Sequence, residues 1–210
     1  MSAIVGYRVP AGRHQFEIVI ARSRFIATAD RTPSVEATRA LLTDIHAEMP
    51  DATHHVYAFR VGFGNSVTEG MSDDGEPSGT AGPPVLAVVR GAEIGDVMVV
   101  VTRYFGGTKL GTGGLVRAYS EAARGALRDL PTEEKIPRCR LAIELPYSLY
   151  AQIKRLLLEY NAVILDERFT ADVAVTVSVA LPDADRLSAQ IIDLSSGKVV
   201  PVTLDEGEAS

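Results

Sequence analysis

The chain has 210 residues, 46% of them hydrophobic and 23% charged, with a net charge of −6, a balance that fits one or two globular domains and excludes a fibrous or largely disordered chain. No apolar run approaches the ~20 residues of a membrane-spanning helix, and residues 1–9 lack a signal-peptide core, so a cytoplasmic protein with no membrane partner is expected. Residues 132–210 hold 8 Lys/Arg against 13 Asp/Glu, which argues against a broad electrostatic grip on nucleic acid, and DNA is not an expected partner.

In chain order, residues 14–20 and 23–29 read as two strands joined by a short polar turn. Thr32-Pro33-Ser34 starts a helix with Glu36 in its first turn and Val35, Leu41, Leu42 and Ile45 on its buried side, until Pro50 stops it. Residues 53–61 form a third strand. A carboxylate-rich loop, Asp73-Asp74-Gly75-Glu76-Pro77-Ser78-Gly79-Thr80-Ala81-Gly82, then leads into Pro83-Pro84, which open a short helix through Arg90. Val97 to Val101 is an apolar, β-branched run typical of a buried strand. It passes through Arg103-Tyr104-Phe105-Gly106-Gly107-Thr108-Lys109-Leu110-Gly111-Thr112-Gly113-Gly114, with five glycines in nine positions, into a helix that ends at Leu130-Pro131. That helix places Leu115, Tyr119, Ala122, Ala123 and Ala126 on one face and Arg117, Glu121, Arg124 and Arg128 on another.

The pattern restarts after a charged linker at 132–137. Strand 140–145, helix 148–160, strands 162–168 and 173–180, helix 183–194 and strand 198–203 give the βαββαβ order of a ferredoxin-like domain. The expected organisation is therefore α+β, with domains at 1–131 and 138–204 and an acidic tail at 205–210. Cys139, the only cysteine, sits in apolar surroundings and reads as a half-buried strand residue without redox or metal chemistry.

Glycine at a strand-to-helix turn permits positive φ and close approach of a ligand, while the free N–H groups of the helix start attract anions. Thr112 and Thr80 are the expected helix caps. If the two loops converge, they form one anion-binding hollow with Arg103 at its edge and Arg117 one turn into the helix. Either Tyr104 or Phe105 then offers a stacking face and the other enters the core. The competing reading of both loops is tight turns, with Asp73, Asp74 and Glu76 as turn and cap residues or as a magnesium-type oxygen cluster. His14, His46, His54 and His55 have no metal-ligand spacing. Gly107-Thr108-Lys109-Leu110 fails the P-loop pattern, and Val116 breaks the dinucleotide-binding one.

The two long motifs, Asp73 to Gly82 and Arg103 to Leu115, resemble those of the YigZ/IMPACT family, its bacterial YigZ branch in particular, and the resemblance runs from about Phe16 to the end of the chain. It implies a first domain like the second domain of a small-subunit ribosomal protein, with a left-handed βαβ crossover, and a second domain like the fifth domain of elongation factor G. Eukaryotic members are translational regulators that restrain activation of the initiation-factor kinase. On this reading no partner-binding domain precedes Phe16, so that kinase link is not expected to carry over. The motif carries over Arg103, Tyr104, Phe105, Gly106, Gly107, Gly111, Thr112, Gly113 and Gly114, but not Lys109. The preferred expectation is a translation-associated regulator whose partner is RNA, the ribosome or a phosphate-bearing small molecule, with no cofactor and no catalytic residue. The alternative is a metal-dependent enzyme acting on a phosphorylated small molecule through Asp73, Asp74 and Glu76.

Overall fold

The computed structural model describes residues 6–64 and 66–205. The acidic residues 206–210 lie outside the described residues. The protein is a two-domain α+β chain, with one compact unit at residues 7–134 and the other, among the described residues, formed by Gly6 with 135–205.

The first unit contains β1 (Tyr7–Pro10), β2 (His14–Ile20), β3 (Ser23–Arg31), α1 (Val35–Glu48), β4 (His54–Phe63), β5 (Ser66–Ser72), α2 (Gly82–Gly91), β6 (Val97–Tyr104), α3 (Gly111–Arg128) and β7 (Thr132–Lys135). Its main sheet has the order β2-β3-β6-β4-β5 with every neighbouring pair antiparallel. The β3-α1-β4 and β5-α2-β6 crossovers therefore each connect parallel strands that have one strand between them. β6 runs apolar without a break from Val97 to Val101 because both faces of the sheet are covered there. Val97, Val99 and Val101 meet Phe25, Ala27, Tyr119 and Ala122 in the core under α2 and α3, whereas Met98 and Val100 meet Leu41 and Ile45 of α1. Each such buried aliphatic side chain contributes about 1.5–3 kcal/mol by transfer from water. Ser34 caps α1, its Oγ accepting the Ala37 N–H at 3.2 Å.

Three strands have no counterpart in the sequence expectation. β5 carries Gly70 in its middle, normally a weakening residue. Here the Phe59 ring on β4 lies over it, so close that an added Cβ would meet ring carbons at 2.4 Å, and the aromatic side chain supplies the missing packing. β1 and β7 form a separate two-stranded sheet. Thr132–Lys135, expected within the linker, is thus a strand whose pairing rests on the backbone, since Thr-Glu-Glu-Lys has no apolar residue to mark it.

The second unit contains β8 (Arg138–Leu145), α4 (Tyr147–Glu159), β9 (Val163–Phe169), β10 (Val173–Ala180), α5 (Ala184–Leu194) and β11 (Val202–Asp205). The sheet order β11-β8-β10-β9 is that of a ferredoxin-like βαββαβ domain. Alternate residues Leu141, Ile143, Leu145, Val173, Val175 and Val177 pack against Ile153 and Leu157 of α4 and Leu187 and Ile191 of α5. Cys139 is fully buried rather than half-buried. The last strand starts four residues later than its sequence suggests because Ser195 to Val199 are held in a turn, with the Val199 N–H donating to Ser195 Oγ at 3.0 Å and the Gly197 N–H to the Ile192 carbonyl at 2.8 Å.

Candidate functional site

The carboxylate loop between β5 and α2 is held by its own acidic side chains. Asp73 accepts the N–H groups of Gly79, Ala81 and Gly82 at 2.8–2.9 Å, so it satisfies the free donors at the start of α2. Burial raises the Asp73 carboxyl, but the donors Gly79, Gly82 and Ala81 outweigh that and hold it below the ordinary aspartate value. Thr80, expected to be the cap, instead donates its hydroxyl to the Pro77 carbonyl at 2.6 Å. Asp74, at φ 44°, accepts the His55 backbone N–H, and its carbonyl lies 2.7 Å from His54 Nδ1. Gly75 at φ 82° completes this turn. Pro77, Ser78 and Gly79 are exposed on the loop surface.

Glu76 turns the opposite way, into the protein. It is 8% exposed and accepts from the Arg103 guanidinium on β6 and from the Tyr119 hydroxyl on α3, the latter at 2.7 Å. Arg103 is itself only 4% exposed. Its second terminal nitrogen donates to Ser23 Oγ at 3.2 Å, and its guanidinium lies 5.3 Å from the Phe25 ring centroid and 5.4 Å from that of Phe105. The expectation of Arg103 at the rim of an anion-binding hollow is corrected by this geometry. A buried guanidinium cannot be left without a carboxylate, and Glu76 is that carboxylate. Burial, reinforced by Glu76, pushes the Tyr119 phenol far above the ordinary tyrosine range, so the hydroxyl stays a donor. The sequence places Tyr119 on the buried side of its helix but offers no sign of its partner, 43 residues away. The signal present is chemical: a tyrosine amid buried alanines needs an acceptor for its hydroxyl.

The network ties the two loops together, one end in the carboxylate loop and the other ends on β6 and α3. Ser23 extends it, because its Oγ also accepts the Gly106 N–H at 3.2 Å. His54 stands beside it, Nε2 3.9 Å from Glu76 Oε1. Further along β4, burial and then the neighbouring His46, whose ring centroid is 4.1 Å away, lower the His55 imidazole, whose Nδ1 meets Thr102 Oγ1 at 3.1 Å.

The glycine turn is built differently. Gly106 is there for a close approach, since an added Cβ would fall 1.9 Å from the Arg22 carbonyl oxygen. Gly107 and Gly111 adopt φ 83° and 69°. Gly114 faces Leu110, 3.0 Å from where its Cβ would be. Gly113 has neither reason: its φ is not positive and nothing lies within 4 Å of the space a side chain would fill. α3 begins at Gly111 with Leu110 at the capping position and no side-chain cap. Thr112 is therefore no cap but an exposed residue inside the first turn. Its neighbours Lys109, Gly113 and Arg117 are also exposed. Neither aromatic residue enters the core, contrary to expectation. Phe105 is 47% exposed, and Tyr104 is half-buried, donating to Asp51 at 3.3 Å with the Arg24 guanidinium 5.6 Å from its ring.

Among the described residues, no group of three or more His, Cys, Asp or Glu is arranged to hold a metal ion. Asp73, Asp74 and Glu76 point to three different sets of partners, which gives the metal-enzyme alternative no geometry to work with.

Comparison with known proteins agrees with both units. The Impact N-terminal domain matches residues 21–127, and a domain of unknown function (DUF1949) matches residues 143–198. An "IMPACT family member" of Haemophilus influenzae is 36% identical over 203 residues, 96% of this chain and 98% of that one. "IMPACT family member YigZ" of Escherichia coli is 38% identical over 188 residues, 89% of this chain and 92% of that one. A solved structure described as a crystal structure of a hypothetical protein superposes with a TM-score of 0.78 at 36% identity, over 96% of this chain and 98% of its own.

Proposed function

The chain belongs to the IMPACT family, and from that premise we propose that it is a cytoplasmic, translation-associated regulator that binds phosphate groups of RNA, free or in the ribosome, at the start of α3. The translational half of the reading rests on what the family resemblance implies, a likeness to domains that work on the ribosome. The phosphate half is carried by one observation: an 18-residue helix begins at an exposed glycine segment with no side-chain cap. The first N–H groups of a helix have no partner within it, no side chain takes them here, and the helix dipole favours an anion there. Gly113 sharpens the point. Glycine is a poorer helix former than alanine, and here no packing or dihedral requirement calls for it. A bare backbone in the same segment as the exposed Phe105, Lys109 and Arg117 suits a phosphate-bearing chain that must approach it.

Arg103 is the wrong residue for testing this, because reversing its charge would set two carboxylates against each other in a buried place. The informative variant is Gly113→Asp with Arg117→Glu. A carboxylate near a helix N-terminus stabilises the helix but repels phosphate. Cosedimentation with ribosomes and binding of a 20-nucleotide RNA, both read from 50 to 300 mM KCl, should show at least a tenfold loss in the double variant and a steep fall with salt in the wild type. Unchanged binding by the folded variant would overturn the reading. Direct binding of inorganic phosphate or of a nucleotide at micromolar concentration, with no RNA binding, would reassign the site to a phosphorylated small molecule.

A further inference from the structure

A groove of about 830 Å³ runs between α2 and α3 on the outside of the first unit. Its walls are Ala87, Val88 and Gly91 from one helix and Val116, Ser120 and Leu127 from the other. On α3 these positions, continued by Arg124 and Arg128, form a stripe from Val116 to Arg128, about 18 Å long at the α-helical rise. That shape is long for a compact small molecule and matches a helix laid along two others. Small residues such as Ala87, Gly91 and Ser120 let a third backbone come close.

Charge narrows the occupant. Of the twelve residues that line the groove, the charged ones are Arg8, Arg124 and Arg128, so the lining is purely cationic in a chain whose net charge is −6. Arg8 donates one nitrogen to the Ala92 carbonyl at 3.0 Å, and Arg128 shares Asp129 at 3.2 Å; Arg124 is exposed on the rim. The lining includes no Phe, Tyr or Trp, so nucleic-acid bases would have nothing to stack on. We propose that this groove docks an acidic amphipathic helix of a partner protein, its aliphatic side on Val88, Val116 and Leu127 and its carboxylates on the arginine rim. The site is separate from the start of α3 and does not depend on phosphate binding there.

The probe is an 18-residue capped peptide with leucines at i, i+3, i+4 and i+7 spacing and glutamates elsewhere, compared with its lysine counterpart by fluorescence anisotropy on the full chain. The glutamate peptide should bind at least tenfold more tightly than the lysine peptide. Ala87→Trp, an exposed position that fills the groove, and Arg124→Glu, which reverses its rim, should each cost at least tenfold without lowering the melting temperature, and Arg124→Glu should narrow the preference over the lysine peptide. Equal affinity for the two peptides, or binding that ignores both substitutions, would overturn the proposal. So would loss of 20-nucleotide RNA binding in Ala87→Trp, which would make the groove a nucleic-acid site.

Discussion

The two loops that meet around Glu76 and Arg103 are both rich in glycine and are opposite in construction. Between Asp73 and Gly82, Asp73, Asp74, Glu76 and Thr80 are all consumed inside the protein, on backbone donors, a carbonyl or a buried guanidinium. Between Gly106 and Gly114, the start of a long helix is left without a side-chain cap and is exposed. Chemical richness in a motif is therefore no measure of how much of it is left open to a ligand. A loop full of carboxylates can be scaffold, and a loop with almost no functional groups can be the surface that a ligand approaches, because backbone N–H groups are the functional groups it offers.

The largest effect should come from cutting the scaffold where the loops join. Glu76→Ala leaves the Arg103 charge buried without a partner and the Tyr119 hydroxyl without its acceptor, at a cost of about 3–5 kcal/mol. Against a typical stability of about 5–15 kcal/mol, thermal melting should fall by more than about 10 °C. The paired change Glu76→Leu with Arg103→Met should recover most of that loss, since a buried ion pair replaced by apolar groups of similar volume is often neutral. A melting point unmoved by Glu76→Ala would mean that the loops are not joined as described. Asp73→Ala, which only uncaps α2, should cost about 1–2 kcal/mol. Its pH dependence follows from the lowered carboxyl. With the folded pKa below the unfolded one, the cap contributes above the unfolded aspartate value of about 3.9 and is lost as pH falls through the folded value. The gap between wild type and Asp73→Ala, measured by denaturant titration, should accordingly be full at pH 7 and close below about pH 4.

How much of this could be read from the sequence depended on the range of the interaction. Val97 to Val101 announces a buried strand, and the strand-helix order after residue 137 announces the ferredoxin-like domain, because hydrophobic periodicity is local. Both motif loops were also visible as loops. What they do was not. Asp73 caps through residues six to nine positions onward, where a search for caps inspects only the adjacent hydroxyls. Arg103 looks like a free cation beside a glycine turn until Glu76, 27 residues away, is placed against it. β5 was hidden for a similar reason, since Gly70 reads as a break unless Phe59 is known to cover it.

The next effect is smaller and opposite in sign. Gly113→Ala places a methyl group in open space on a helix whose φ it tolerates, and should stabilise the first unit by about 0.5–1 kcal/mol. If Gly113 is kept bare for a ligand, the same variant should weaken ribosome or RNA binding at 100 mM KCl. A more stable protein that binds as well as before would show that the comparison between the loops concerns only turn geometry.

The smallest effect is the one expected from magnesium. Mass action stabilises a folded protein by RT ln(1 + [L]/Kd), so 10 mM Mg²⁺ acting on a site with Kd of 10 mM or weaker contributes at most about 0.4 kcal/mol, or less than about 3 °C. The carboxylate loop should behave like no site at all, because a cation there would have to take Asp73 from three N–H donors, Asp74 from the His55 N–H and Glu76 from Arg103. Each exchange strips a satisfied partner and leaves it buried or unpaired, a penalty of about 1–3 kcal/mol per group. Melting curves with 10 mM MgCl2 and with EDTA should therefore coincide within that limit, and Asp74→Asn should lower stability equally in both. A rise of 5 °C with magnesium that disappears in Asp74→Asn would show that the loop rearranges around a cation, and would erase the division between a closed acidic loop and an open glycine one.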